Sequence, residues 1–206
     1  MAKVAYLISM PSYATLLHDA LRYMRNDMNQ KDNNYSFRSK TGQKIQVRRL
    51  KPDDTPLLVD VFDHMTSESR YRRYHQTLDH VSPSRIWQEA ENITQADPEH
   101  NRGLLALIDL PGEEVVPVGA VRFVATSPEE VEVAISIRDD YQNKGIGTRL
   151  MRLMADEAQA LGYHQLTAGI QNDNPAIWQV FSKLPYKVKR APQGSYSNIM
   201  ITLNSN

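Results

Sequence analysis

A short glycine-containing loop, Gln142 to Thr148, holds the residues whose types and spacing most clearly indicate chemistry. Gly145 and Gly147 lie two positions apart, and a glycine lets the backbone approach a ligand without interference from a Cβ atom. The loop opens a long helical pattern, and the free N–H groups of a first helical turn suit a pyrophosphate. Lys144 and Arg149 add positive charge. The loop is therefore predicted to bind phosphate, while a plain strand-to-helix turn remains the competing interpretation.

Better-known nucleophile and phosphate motifs do not fit. A dinucleotide-binding fingerprint requires a third glycine, and Leu150 occupies that position. A Walker A loop requires Lys followed by Ser or Thr after a glycine, and that pair is missing. The sequence has no G-x-S-x-G and no cysteine, which excludes the simplest serine hydrolase, a thiolate nucleophile and a disulfide. The six histidines lack a helical i, i+4 pair, so we expect no metal.

The loop needs a strand before it and a helix after it, and the apolar pattern predicts both. Residues 131–137 alternate apolar with polar or small side chains, which indicates a half-buried strand. After the loop, apolar residues at helical spacing run to Leu161, and Gly162 follows where a C-terminal glycine belongs. The other predicted elements are strands at 45–50, 104–110, 117–125, 166–170 and 197–203, and helices at 57–65, 84–93 and 175–184. Strands and helices do not alternate strictly, so the predicted fold class is mixed α/β.

Residues 1–43 differ in character and are predicted to be an N-terminal helical extension and linker before a domain at 44–206. Ser12 is a candidate N-cap for a helix that carries Leu16, Leu17 and Leu21. The polar stretch at 26–39 is predicted to be a linker or an exposed turn. These three leucines would form an exposed apolar stripe, which we expect to pack against other protein surface. The sequence leaves three roles open for this extension: it packs on the domain, it forms homodimer contacts, or it carries a partner site.

The composition limits the partners. At 206 residues the chain has room for one sizeable core. Lys+Arg and Asp+Glu both number 24, and a neutral chain has no overall field that attracts nucleic acid. No apolar run approaches the roughly 20 residues that span a bilayer. We therefore expect neither a nucleic-acid nor a membrane partner, and a cytoplasmic location.

The loop and its surroundings resemble a known family. Gln142-x-x-Gly145-x-Gly147 is similar to the Q/R-x-x-G-x-G/A acetyl-CoA motif of the GNAT N-acetyltransferases. Residues 138–142 are typical of that family, and the stretch from Asn172 to Tyr186 is similar to its N-x-x-A…LGF pattern. The resemblance covers roughly 45–203. It implies a central, mostly antiparallel sheet with a splayed parallel strand pair, flanked by helices.

Acetyl-CoA is the co-substrate that this resemblance implies. The end of the 131–137 strand would hydrogen-bond the pantetheine arm, and the loop N–H groups would hold the pyrophosphate. Asn174 and Phe181 would lie near the pantetheine or thioester end. The implied cofactor-binding residues are Ile135, Ser136, Ile137, Gln142, Asn143, Lys144, Gly145, Ile146, Gly147, Thr148, Asn174 and Phe181.

Glu132 is the catalytic residue that the resemblance implies, because it aligns with a glutamate that serves as general base in several GNAT enzymes. Partial burial would raise its pKa, or it would act through water. A solvent-facing strand residue like Glu130 is the competing interpretation. Many members carry a tyrosine where this chain has Phe181, which cannot donate a proton to the leaving thiolate. Tyr186, Tyr196 and water remain as substitutes, and a main-chain N–H around Ser136 is the expected oxyanion donor.

The acceptor is an amine, and its class is predicted from residues 66–74. That stretch resembles one in the GNAT domain of bacterial protein lysine acetyltransferases, which favours a protein lysine over a small amine. A solvated basic turn is the competing interpretation, and RNA binding through its arginines and tyrosines is a minor one. A non-catalytic acyl-CoA-binding module is the alternative to an enzyme.

Overall fold

The computed structural model describes residues 34–74, 81–108 and 115–203. They form one eight-stranded sheet in the order β1-β2-β3-β4-β5-β6-β8-β7. Neighbouring strands are antiparallel except β5 and β6, which are parallel. The strands are β1 (Tyr35–Arg38), β2 (Lys44–Arg49), β3 (Asn101–Ile108), β4 (Val116–Ala125), β5 (Glu130–Ile137), β6 (Gln165–Gln171), β7 (Lys187–Gln193) and β8 (Tyr196–Thr202).

Five helices pack on this sheet among the described residues: α1 (Thr55–Asp63), α2 (Ser67–Tyr74), α3 (Pro83–Thr94), α4 (Ile146–Ala160) and α5 (Pro175–Phe181). α1 packs against α3 and β4, while α4 packs against β3, β4 and β5. β3 is buried on both faces: Leu104, Ala106 and Ile108 join the core under α4, and Leu105 and Leu107 are buried outside that core. This two-sided burial explains why β3 has a continuous apolar sequence.

The sheet opens at its parallel pair. β5 and β6 are in register only from Glu130 opposite Gln165 to Glu132 opposite Thr167. Beyond Glu132 the two strands separate, and α2 contacts both of them. This confirms the predicted mixed α/β fold with a splayed parallel pair.

Most predicted elements are present, with ends shifted by a few residues. Two strands and one helix were missed. Tyr35–Arg38 pairs with β2 and is not a linker, because Tyr35 and Phe37 pack on the core. Lys187–Gln193 is an edge strand, and Ser67–Tyr74 is a helix and not a basic turn. The predicted helix that begins at Ser12 lies outside the described residues, and the 43/44 domain boundary stays a prediction.

Candidate active site

An open cavity of about 430 Å³ lies where β5 and β6 separate, and we call it the strand-edge cavity. Its walls come from β5, β6, α2, α5 and the loop before α4. The predicted site residues that line it are Glu132, Ile135, Ser136, Ile137, Gln142, Asn143, Gly145, Gly147, Thr148, Asn174 and Phe181. The structure therefore brings together nearly all of the residues that the sequence suggested.

Lys144 and Ile146 are the two exceptions. The Lys144 ammonium lies 4.4 Å from the centre of the Tyr141 ring, and Ile146 is buried in the core under α4. Neither side chain lines the cavity. Any contribution of Ile146 to ligand binding must therefore come from its main chain.

The edge of β5 that faces the cavity is open beyond its short pairing with β6. The N–H of Arg138 donates to the carbonyl of Val118 on β4 at 3.1 Å, and main-chain groups alternate in direction along an antiparallel pair. The N–H of Ser136 therefore also faces β4. The N–H groups of Val133, Ile135 and Ile137 therefore point toward the strand-edge cavity. An extended ligand can add to this edge as a strand does, and Ile135 replaces Ser136 as the expected oxyanion donor.

The loop before α4 has the backbone geometry of an anion site. Asn143 and Gly145 both have positive φ, 60° and 82°, and Gly145 is the N-cap of the 15-residue α4. A helix leaves the N–H groups of its first turn without partners inside the helix. These groups and the helix dipole face the strand-edge cavity beside Gly147 and Thr148.

We predict that Gly145→Ala weakens acetyl-CoA binding about tenfold or more, because a side chain at φ 82° costs roughly 1–2 kcal/mol and the loop must change shape. An added Cβ would also lie 3.5 Å from the Lys40 side chain. Gly42→Ala is the matched control, since Gly42 also has a positive φ, 86°, but does not line the strand-edge cavity. Calorimetric titration of both variants measures the difference. Equal affinities for the two would contradict this account of the loop.

Arg138 fixes the end of β5 to α1. Arg138 is only 8% exposed, and its guanidinium donates to both oxygens of Asp140, at 3.1 and 3.0 Å, and to Asp60 of α1 at 2.9 Å. Burial lowers the pKa of Arg138, but the two carboxylates outweigh it and the net direction is upward. The strand that borders the cavity is thereby held against the helix layer.

Asp139 and Gln142 join the loop to α2. Asp139 accepts a hydrogen bond from the N–H of Thr66 at 2.9 Å, and Gln142 Nε2 donates to Asp139, to Ser69 and to the carbonyl of Ile137. Burial acts to raise the pKa of Asp139, but the hydrogen bonds from Thr66 and Ser69 hold it below its usual range. The Gln142 side chain therefore connects the loop before α4 with α2 and the end of β5.

Glu130 and Glu132 lie on the same face of β5 but have different surroundings. Glu130 accepts hydrogen bonds from Gln165 at 2.8 Å and from Thr126 and Thr167, and so ties β5 to its neighbours. Glu132 lines the strand-edge cavity and accepts no hydrogen bond from the described part of the chain. It is exposed, so the expectation of a partly buried carboxylate is wrong for this structure.

The tyrosines proposed as substitutes for Phe181 lie away from the cavity. Burial, together with a 3.0 Å hydrogen bond to Asp156, raises the pKa of Tyr186 to about 12, and Tyr196 donates to Gln193. Neither lines the strand-edge cavity. Phe181 is 2% exposed and does line it, so it is a core residue and a cavity wall at once.

Asn174 has a structural role at the same cavity. Its Oδ1 accepts the N–H of Ile177 at 3.3 Å and so caps α5. This places the start of α5 beside the gap between β5 and β6, where Asn174 lines the wall. Capping explains why an asparagine precedes the helix, and the rest of the side-chain amide is available to a ligand.

Lys40 is a site residue that sequence reasoning missed. It follows β1 in a segment predicted to be part of the extension and linker, yet its N–H donates to the carbonyl of Lys144 at 2.9 Å. Its exposed side chain lines the strand-edge cavity and passes over Gly145. A cation beside the anion-binding loop is suited to a phosphate group. Only the tertiary structure reveals this, because about 100 residues separate the two segments.

We predict that Lys40→Ala weakens acetyl-CoA binding about three- to tenfold, since it removes one exposed cation from the phosphate region. Lys44→Ala is the control, because Lys44 is an exposed cation on the same hairpin that does not line the cavity. Titration with 3′-dephospho-CoA shows which phosphate is contacted. Identical affinities for the two variants would remove Lys40 from the site.

A second cavity, of about 200 Å³, lies on the other side of β5, and we call it the helix-side cavity. α1, α3, β4 and β5 form its walls. Five residues line both cavities: Met65, Arg73, Tyr74, Ala134 and Ser136. The two cavities therefore meet at the C-terminal end of α2 and the middle of β5, close to Glu132.

Asp97, Glu99 and His100 form an exposed cluster whose ligand atoms lie within 4.8 Å of one another. His100 Nδ1 is 2.9 Å from Asp97 Oδ2. This cluster was not predicted from the sequence. It lines neither cavity, so it takes no part in the site.

The sequence was compared with known proteins once this geometry was established. Residues 44–187, more than half of the chain, match the family described as the acetyltransferase (GNAT) domain. The chain belongs to the GNAT acetyltransferase family. It is an acetyl-CoA-dependent acetyltransferase of this type, and the strand-edge cavity with its anion-binding loop lies within the matched residues apart from Lys40.

Similar proteins agree with this assignment. An acetyltransferase of Pseudomonas aeruginosa is 25% identical over 75% of this chain and 81% of its own length. An L-amino acid N-acyltransferase of Escherichia coli is 34% identical over 28% of this chain and 34% of that protein. The solved GNAT domain of S. lividans PAT is 23% identical with a TM-score of 0.70, covering 82% of this chain and 96% of that domain, which shows the shared fold.

Among the described residues of this acetyltransferase, no helix is both long enough and apolar enough to cross a membrane.

Proposed function

We propose that this acetyltransferase transfers the acetyl group of acetyl-CoA directly to an amine, with Glu132 as the general base. The pantetheine arm lies along the open edge of β5, and the pyrophosphate lies on the loop before α4. The amine enters from the helix-side cavity. With no cysteine in the chain, a thiolate acyl-enzyme is excluded, and both substrates are bound together when the acetyl group moves.

The observation that supports this proposal best is the position of Glu132. It is the last residue of β5 paired with β6, so it stands where the donor edge begins. It also lies on the same face of the sheet as Arg122, Ala134 and Ser136, which line the helix-side cavity. A carboxylate placed between a donor cavity and an acceptor cavity can take the proton from an attacking ammonium.

The departing thiolate needs a proton, and Tyr74 is the candidate donor that replaces the missing tyrosine. Tyr74 lines both cavities at their junction. Its ring makes an edge contact with Phe62 at 5.8 Å, which fixes the ring plane. Neither Tyr186 nor Tyr196 has such a position.

Two acceptor classes suit this reaction. A protein lysine is supported by the likeness of residues 66–74 to protein lysine acetyltransferases, and α2 carries that stretch to the cavity wall. A small amine is supported by the helix-side cavity, which has room for about seven water molecules. A protein lysine and a small amine differ in the chemical groups attached near the reacting nitrogen.

Calorimetric titration with acetyl-CoA, followed by initial-velocity measurements at varied concentrations of both substrates, tests the proposal. Binding is expected, and the double-reciprocal lines should intersect because both substrates occupy the enzyme at once. Parallel lines would contradict direct transfer. Binding without turnover of any amine would favour a non-catalytic acyl-CoA-binding module.

A further inference from the structure

The lining of the helix-side cavity combines apolar walls with an excess of positive charge. Side chains of α1 and α3 such as Leu58, Phe62 and Ile93 make most of the wall. The charged residues that line it are Arg73, Arg85, Arg122 and Glu89. A cavity with three arginines and one glutamate favours an anionic ligand, and its apolar walls favour a ligand with an apolar part.

Two of these arginines have donors that nothing satisfies. The Nε atoms of Arg73 and Arg122 are buried and lack hydrogen-bond partners. Within the described ranges, neither guanidinium forms an ion pair at 4 Å or less, and the Arg73 guanidinium lies over the Tyr74 ring at 4.8 Å from its centre. A buried donor without an acceptor is costly, so these groups are suited to an acceptor that the ligand brings.

The same two arginines lie close to the proposed base. Arg122 is opposite Ala134 and Glu132 is opposite Val124 across the β4–β5 pair, so Arg122 and Glu132 are diagonal neighbours on one face. Diagonal neighbours are about 7–8 Å apart. A ligand anion bound by Arg122 would therefore be separated by only a few bonds from the ligand nitrogen that reacts beside Glu132.

The electrostatics of Arg73 connect it to both residues. Burial lowers the pKa of the Arg73 guanidinium, and Arg122 lowers it further, while Tyr74, Glu89 and Glu132 act to raise it. Arg73 is thus close enough to both Arg122 and Glu132 for their charges to act on it. An anion bound between the two arginines would offset their mutual repulsion.

We propose that the acceptor is a small primary amine with a carboxylate on the carbon that bears the nitrogen and an apolar substituent: an α-amino acid with an apolar side chain. This inference rests on the proposed acetyl transfer and selects between its two acceptor classes. The carboxylate pairs with Arg73 and Arg122, the apolar side chain fills the helix-side cavity, and the ammonium faces Glu132. A lysine side chain has no anion beside its nitrogen and would leave both guanidinium groups unpaired.

The reaction balances with these groups. Glu132 takes one proton from the ammonium, and the nitrogen lone pair attacks the thioester carbonyl carbon. As the C–N bond forms and the C–S bond breaks, the attacking nitrogen loses its second proton to water, and the thiolate of CoA takes the phenolic proton of Tyr74, which water then restores. The products are the N-acetyl amino acid, whose carboxylate stays paired with the arginines, and CoA.

The test compares three amines of one shape: L-leucine, L-leucinamide and 3-methylbutylamine, together with a lysine peptide. Each is measured for turnover with acetyl-CoA and for binding to the CoA-saturated full-length protein. The wild type should use L-leucine about 100-fold better than either amine without the carboxylate. Arg122→Gln should abolish that preference, and Arg122→Lys should restore part of it.

Arg102→Gln is the matched control, because Arg102 also has a buried, unpaired Nε but lines neither cavity. This variant should retain the carboxylate preference. Equal use of the three amines, or preferred use of the lysine peptide, would overturn the inference while the acetyl transfer itself stands. A third outcome is that L-leucine binds without any turnover, and that Arg122→Gln removes this binding. That result would support the carboxylate site and overturn the proposed acetyl transfer instead.

Discussion

Replacing Glu132 by Gln is expected to lower kcat about 10²- to 10⁴-fold and to leave the affinity for acetyl-CoA unchanged. The range is that of a lost general base, and glutamine keeps the size and polarity of the side chain. The loss should become smaller as the pH rises, because more of the amine is then neutral without help from the enzyme. The pH dependence of kcat/KM for both proteins, with calorimetry for binding, measures this.

Glu130→Gln is the control for that experiment. Glu130 lies on the same face two residues earlier, but its carboxylate is engaged by Gln165 and Thr167. This variant should lose some stability and keep most of its turnover. Unchanged turnover in Glu132→Gln would remove Glu132 as the base, and a loss that does not depend on pH would indicate a positioning role.

Gly119→Ala is expected to have the largest effect on the fold near the site. Gly119 faces Ile137 across the β4–β5 pair, and an added Cβ would lie 2.8 Å from the carbonyl oxygen of Ser136 and 2.5 Å from Ile137 Cδ1. The backbone of β4 or of the end of β5 must therefore move to accommodate the added Cβ. We expect a loss of about 2–3 kcal/mol, or about 5–10 °C in Tm, and at least tenfold weaker acetyl-CoA binding, because the displaced strand end is the donor edge.

Gly162→Ala separates these two effects. Gly162 ends α4 with φ 86°, and nothing lies within 4 Å of an added Cβ. This variant should lose stability through backbone strain and bind acetyl-CoA normally. If Gly119→Ala keeps wild-type affinity, the end of β5 is not part of the donor site.

The elements around the donor cavity were predictable because local patterns specify them. β5 alternates apolar and polar residues, α4 has one apolar face, and the loop between them carries its two glycines at the required spacing. β1 and β7 were missed because both lie at the edges of the sheet, and β1 has only four residues. β7 is mostly exposed and contains Pro192, so its sequence lacks the alternation of a buried strand.

α2 was missed for a related reason. It has eight residues, none of them buried, so no apolar face marks it as a helix. Its position comes from tertiary hydrogen bonds, namely those of Thr66 and Ser69 with the loop after β5. The same holds for the arginine pair of the helix-side cavity, since Arg73 and Arg122 come from segments that only the folded chain brings together.

The most direct test of the account is the stoichiometry of acetyl transfer. The full-length protein is incubated with acetyl-CoA and a panel containing L-leucine, 3-methylbutylamine, a polyamine and a lysine peptide, while free CoA thiol and acetylated amine are measured together. The account predicts enzyme-dependent release of one CoA for each acetylated amine, and loss of both in Glu132→Gln. Tight binding of acetyl-CoA without CoA release for any amine would contradict it and identify a binding module.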